Sequence, residues 1–383
     1  MQNHPKRVFP VKITYISNST FPSRAANSIH VMKMCQAFVQ NGHEVFLLAP
    51  DKKKDAQTGI SDIFEYYGIS KQFFIKHLPC PTIRGRDWIY AAFVRQTLKK
   101  IKPDLVYGRH LMGCTQAARN GYRVMYELHF PVWERSKRDH DLFREIITRP
   151  DFCKLVVITN ALKKICIEGG FLPANKILVA PDGADKVNDF SSLPEWQGRE
   201  NALQIGYVGH LYSGRGIDLI LDLAEKLDAI DFHLIGGTPS DIDYWKTQTI
   251  RTNVFFHGYI PPNLVYKYRN SCDILLAPYQ ETLTTANDGP NTSKVMSPLK
   301  IFEYMSSRKS IIASDLPALR EVLNDNNAVL VRPDSIEDWT EAIERLQESK
   351  VRTRIADRAY EDFCAHYTWE NRARSILSHT PYE

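Results

Sequence analysis

No stretch of these 383 residues stays apolar for the length a bilayer demands; the longest runs, "VFLLAP" and "DILLAP", are strand-length. The seven cysteines (35, 80, 114, 153, 166, 272 and 364) lie far apart with no C-x-x-C pair, so neither a disulfide framework nor a zinc ribbon is expected. The opening "MQNHPKRVFP" lacks the apolar core of a secretory signal. There is no internal repeat, no low-complexity tract and no G-x-G-x-x-G fingerprint. These absences lead us to expect a soluble protein of a reducing cytoplasm.

What is present is globular: 43% hydrophobic and 24% charged residues, with length enough for two cores. The net charge of +5 conceals an asymmetry. Residues 1–190 carry 29 Lys and Arg against 17 Asp and Glu, whereas the remainder carries 20 against 27. The first half therefore reads as the half that faces an anionic partner, against the plainer reading of uneven surface composition.

Apolar runs alternate with helical patterns along the first half: "KITYIS", "EVFLLAP", "DLVYGR", "RVMYEL", "KLVVIT" and "KILVAP". Such runs, apolar throughout and separated by helices, imply a parallel sheet covered on both faces. A polar stretch, "KVNDFSSLPEWQGREN" (186–201), reads as a linker. The alternation then restarts with "LQIGYVG", a helix over 217–227, and "DFHLIGG", "NVFFHG", "DILLAP", "SIIAS" and "AVLVR". The expectation is α/β with two Rossmann-like, doubly wound domains facing a cleft, divided as 1–190 and 191–366. A last helix within 367–383 would pack back on the first domain. Ligands in such sheets bind outside the carboxyl ends of the strands.

Two corners of the second half have the chemistry of an anion site. "GYVGHLYSGRGID" puts Gly209 after a strand, then Gly214 and Gly216 around Arg215, then a helix start. Glycines let backbone N–H groups approach an anion, and a helix start favours negative charge; a plain turn is the alternative. "SPLKIFEYM" predicts a helix over 298–306, capped by Ser297 with Pro298 in its first turn. Lys300, Glu303 and Tyr304 fall on one face and Ile301, Phe302 and Met305 on the other. The first face is either a solvated ion pair or the wall of a site. Two cations at two helix starts suit a diphosphate, and a carboxylate one step away suits a vicinal diol such as ribose.

The chain resembles the retaining glycosyltransferases of family four, which have the GT-B fold. The likeness runs through "NGHEVFLLAP", "YVGHLYSGRGIDLIL", "VFFHGYI", "CDILLAPY", "PLKIFEYMSSRKSIIASDLPALREVL" and "YTWENRAR". It implies transfer from a nucleotide-diphosphate sugar, UDP- or GDP-linked, with retention of configuration and with neither metal nor other cofactor. It also implies a C-terminal donor domain and an N-terminal acceptor-side domain. By resemblance, Arg215 takes the diphosphate-binding lysine's position and Glu303 is the second, ribose-holding glutamate of an E-x7-E motif. The first glutamate's position holds Val295, a departure that resembles the SPLK branch, where Lys300 takes up donor contacts. Gly209, His210 and Ser297 join the diphosphate set, and His210 stands where an arginine is usual. Backbone at Gly258 and Tyr259 would meet the base. Asp288 and Asn291 would meet sugar hydroxyls, and Ala26 and Asn27, after the first strand, the sugar or acceptor. His129, after "YEL", matches the family's active-site histidine.

The acceptor implied is a glycan or a lipid-linked glycan, to which a hexosyl or N-acetylhexosaminyl unit would pass. Helical phase over 86–102 puts Trp88, Arg95 and Lys99 together, away from Tyr90, Val94 and Ile101. "WERSKRDHDLFREIITR" (133–149) adds cations beside an aromatic. A peripheral contact with an anionic membrane follows as an expectation, against the alternative of core-facing helices with a solvated side. No nucleic-acid motif accompanies the charge. Two other classes compete with transfer: a non-catalytic nucleotide-sugar-binding partner subunit, and a GT-B nucleotide-sugar epimerase.

Overall fold

The computed structural model describes residues 10–52, 56–191, 193–212, 214–282 and 293–380. The chain forms two compact units, Met1–Pro181 with Trp369–Glu383, and Asp182–Thr368.

The first unit is built on seven parallel strands: β1 (Lys12–Ile16), β2 (Glu44–Asp51), β3 (Phe74–Pro79), β4 (Leu105–Gly108), β5 (Val124–Leu128), β6 (Phe152–Val157) and β7 (Ile177–Val179). Their order is β3-β2-β1-β4-β5-β6-β7, so the winding reverses between β1 and β4. Every residue of β4 and β5 is buried, as expected for strands covered by helices on both faces. Strand β3 escapes the apolar-run reading because it is an edge strand, "FIKHLP", with most side chains in solvent. The final helix, Trp369–Leu377, belongs to this unit and packs on the helix Ala26–Gln40. Trp369 is 3% exposed, and Asn41 Nδ2 donates to the Glu370 carbonyl at 3.1 Å.

The second unit has six parallel strands: β8 (Gln204–Val208), β9 (Asp231–Ile235), β10 (Val254–Gly258), β11 (Ile274–Ala277), β12 (Ser310–Ser314) and β13 (Val329–Val331). The order β10-β9-β8-β11-β12-β13 reverses between β8 and β11, and a ligand crevice lies by rule at their carboxyl ends. Among its described residues, the segment 186–201 has no helix or strand of its own. Its Trp196 nevertheless docks on this unit. The ring stacks on His233 at 4.1 Å and on His257 at 5.0 Å, and its Nε1 donates to Gln204 Oε1 at 3.1 Å. None of the described helices is long and apolar enough to cross a membrane.

Candidate active site

At the carboxyl edge of the second sheet the backbone has been stripped of side chains in a row. Gly209 and Gly236 follow β8 and β9, and Gly258 ends β10, with φ of +153°, +124° and +72°, a region that L side chains avoid. They are stitched together, Gly209 N–H donating to the Ile235 carbonyl at 2.9 Å and Gly236 N–H to the Gly258 carbonyl at 2.8 Å. A Cβ on Gly236 would stand 2.1 Å from the Gly209 carbonyl oxygen. Sequence reading took Gly209 and Gly258 as site residues and missed Gly236, the member that lets the other two strands close up. Its signal was the doubled glycine ending "DFHLIGG". Tyr259, the other expected base contact, follows β10 directly and is half-buried.

Lys300 reaches this edge from the helix Leu299–Ser306. Its Nζ lies 3.7 Å above the Tyr207 ring and 5.1 Å from the Tyr279 ring, and a Cβ on Gly209 would come within 2.9 Å of it. Arg215, at the loop before the helix Ile217–Lys226, lies over Tyr212 at 4.8 Å and Tyr279 at 5.7 Å and donates to the Tyr212 hydroxyl at 2.6 Å. Its Nε is buried and has no acceptor among the described residues. Tyrosine faces hold both cations by cation–π attraction, and no carboxylate forms an ion pair with either among the described residues. Burial, and then the Arg215 charge, push the Lys300 ammonium well below its ordinary pKa, while Glu303 opposes the shift. Partial desolvation, then Arg215 and Lys300, lower His210 as well, so its ring is neutral at pH 7 and adds no third positive charge.

The helix Leu299–Ser306 departs from expectation in two respects. Pro298, not Ser297, is its N-cap, and no side chain caps the first turn, because the Ser297 hydroxyl accepts the Asp182 N–H at 3.0 Å. The first-turn N–H groups are thereby left for another acceptor. Tyr304 is not on the open face. It is fully buried, with its hydroxyl accepting Val208 N–H at 2.8 Å and donating to the Leu276 carbonyl at 3.2 Å, which fastens this helix to β8 and β11. Glu303 is half-buried and is neither free nor paired with Lys300. Arg269, from the helix Val265–Asn270, donates to Glu303 Oε2 at 3.3 Å and to Ser307 Oγ at 3.0 Å. Sequence reading had no means of finding that partner, one cation on a short helix 34 residues away. Val295 is 5% exposed, buried as an apolar side chain should be. Asp288 and Asn291 lie outside the described residues.

In the first unit the helix Ala26–Gln40 starts immediately after the loop that follows β1, so Ala26 and Asn27 are its first two residues. Its N-cap, Ala25, offers no side chain to the first turn. His129 follows β5, and its Nε2 lies 2.6 Å from Glu127 Oε1. Glu127 itself was missed. It is a buried acid that also meets His30 Nε2 at 2.8 Å, Arg372 at 3.0 Å and the Tyr107 hydroxyl. Burial would raise its pKa, but Arg372, His30 and the hydrogen bond from His129 outweigh that and hold it well below the usual carboxylate range.

Two family models match, one to each half of the chain. Residues 28–187 match Glycosyltransferase Family 4, and residues 202–349 match Glycosyl transferases group 1. The chain is a glycosyltransferase of the GT-B type. Solved structures share the fold at low identity. Anabaena HepE, determined with UDP and glucose, superposes with a TM-score of 0.70 at 18% identity, over 96% of this chain and 98% of that one. Sucrose-phosphate synthase of Thermosynechococcus elongatus gives 0.72 at 15%, over 96% and 97%. The lipopolysaccharide outer core galactosyltransferase WaaB gives 0.65 at 17%, over 96% and 100%. No curated protein sequence matches the chain. In this transferase the glycine row, the two tyrosine-held cations and the open helix start all belong to the unit matched by the group 1 model.

Proposed function

We propose that the chain is a retaining hexosyl or N-acetylhexosaminyl transferase that takes its sugar from a UDP- or GDP-sugar without a metal and passes it to a glycan or lipid-linked acceptor. One observation carries the reading: two cations, Arg215 and Lys300, stand on tyrosine faces and share that of Tyr279, Lys300 beside Gly209, with no carboxylate to neutralise them among the described residues. A diphosphate supplies the missing charge and accepts from Arg215 Nε and the bare helix start. Glu303, held by Arg269, accepts from the ribose diol. Gly258 and Tyr259 offer backbone to the base, and Ser297 closes the phosphate end. HepE, solved with UDP and with UDP and glucose, lends weight to a uridine donor.

In the reaction the bond from anomeric carbon to phosphate oxygen breaks while the acceptor hydroxyl bonds to that carbon on the same face. The acceptor's proton goes to the departing phosphate oxygen. Arg215, Lys300 and the helix start stabilise charge that grows on the diphosphate. Among the described residues no side chain is assigned as a nucleophile, and His129 orients the sugar or acceptor, with Ala26 and Asn27 nearby in the same unit. The acceptor-side unit would work as a peripheral protein at the cytoplasmic face of a membrane. There Ile83 and Trp88 are 57% and 50% exposed among the exposed cations Arg84, Arg86, Arg95 and Lys99. Trp133 is no part of that surface, because its ring packs on Phe171 at 4.3 Å and Phe143 at 4.9 Å.

The buried Val295 favours one competitor, a partner subunit that binds a nucleotide sugar without turning it over. A thermal-shift series with UDP, GDP, ADP and dTDP tests the site. One nucleotide at a hundredfold excess over its Kd should stabilise the wild type by about 2.7 kcal/mol and Glu303→Ala much less. No shift with any of the four sinks the donor site. Binding without UDP or GDP release in the presence of acceptors identifies the partner subunit, and a new nucleotide sugar from donor alone an epimerase.

A further inference from the structure

Glu127 lies in β5 and His129 just past its end, and the two side chains meet at 2.6 Å. An ionised carboxylate with 0% side-chain exposure is costly unless its lone pairs are filled. Groups from four parts of the chain surround them. His129 and His30 approach Oε1 at 2.6 and 2.8 Å, Arg372 of the last helix approaches it at 3.0 Å, and the Tyr107 hydroxyl of β4 donates to Oε2. Arg372 is committed elsewhere too, donating to the carbonyls of Pro181 at 2.8 Å and Ala180 at 3.1 Å. A fastening of the last helix to the sheet would need only Arg372 and Glu127. Two imidazoles on the same oxygen are more than that task requires.

We infer that Glu127 is the positioning residue for His129: its carboxylate accepts the proton on Nε2 and so fixes both the orientation and the tautomer of the ring, with Arg372 supplying the counter-charge. The inference rests on the reading of His129 as the active-site histidine. Holding a ring this way is worth more than its hydrogen bond, because a histidine in the wrong tautomer presents a donor where an acceptor is needed. The donor atoms of His30, Glu127 and His129 also lie within 4.8 Å of one another, as metal ligands would. Arg372 argues against an ion there, since it places a fixed cation on the oxygen an ion would share.

The experiment is histidine ¹⁵N NMR of the full chain, with His129 assigned by the signal lost in His129→Ala. In the wild type the neutral His129 ring should carry its proton on Nε2. In folded Glu127→Gln, whose amide donates as well as accepts, the ring should become a tautomer mixture. Release of UDP from UDP-glucose should then fall about 10- to 100-fold in kcat with little change in KM. A wild-type ring bare at Nε2, or a Glu127→Gln ring unchanged from wild type, overturns the inference, as would Zn²⁺ moving the His30 and His129 signals together. If Glu127→Gln does not fold, the wild-type spectrum still decides, and Tyr107→Phe, which empties only Oε2, should leave the His129 tautomer as it was. Full turnover in His129→Ala would remove the catalytic reading of His129 while the spectrum went on reporting the hold of Glu127.

Discussion

Replacing His257 by Phe should make the protein less sensitive to acid. His233 and His257 share a hydrogen bond at 2.9 Å beneath Trp196, and Phe255 stacks on His233 at 5.0 Å. Burial, and then the neighbouring His257, push His233 down to about 3, and burial pushes His257 down to about 4. Both are neutral in the folded protein at pH 5, whereas in the unfolded chain each takes up a proton near pH 6.5. The unfolded state therefore binds more protons across that window, and stability falls as pH falls from about 6.5 toward the folded values. At pH 5 the interval is about 1.5 pH units, or about 2 kcal/mol for each ring, trimmed somewhat for His257 because it is partly exposed. His257→Phe keeps an aromatic face for Trp196 and removes one of the two protons. Urea unfolding of the wild type and variant, followed by tryptophan fluorescence at pH 7.5 and pH 5, isolates the effect, since the titrations of groups away from the pair cancel in the difference and His233, freed of His257, can only add to the gain. The variant should gain on the order of 1 to 2 kcal/mol relative to wild type on acidification, whatever its offset at pH 7.5. Parallel losses in the two proteins would refute the reasoning, and the His pair would have to be already charged or solvated.

Lys300→Met should weaken UDP binding at least tenfold, about 1.4 kcal/mol, without lowering Tm, because the residue removed is a desolvated cation with no ionic partner among the described residues. A fall in Tm with unchanged binding, by calorimetric titration, would make Lys300 a packing residue. Gly236→Ala should cost about 3 kcal/mol or more, since its Cβ would meet the Gly209 carbonyl at 2.1 Å in a left-handed backbone, and a wild-type Tm would contradict the glycine row.

What the sequence showed and what it hid divide along physical lines. Twelve of the thirteen strands announce themselves as apolar runs, the brief β7 at the centre of "KILVAP" included. Edge strand β3 does not, because most of its side chains face solvent. The position of Lys300 was legible because a helix start, a proline and a cation stand within four residues of one another, so that local geometry settles where the charge goes. The identity of the cap was not, since Ser297 is drawn off by Asp182 N–H from 115 residues away. Sequence distance also hid Arg269 behind Glu303 and Arg372 behind Glu127: Glu303 is read from its motif and Glu127 is not, and the counter-cations come from 34 and 245 residues along the chain. A buried acid tells the reader that a cation must exist, because an unpaired carboxylate is not tolerated there, yet tertiary contact alone chooses which. The converse holds at the donor edge. Arg215 and Lys300 are cations without acids among the described residues, and a bare positive pair at a strand end points to a ligand, while a matched pair in a core points only to the fold.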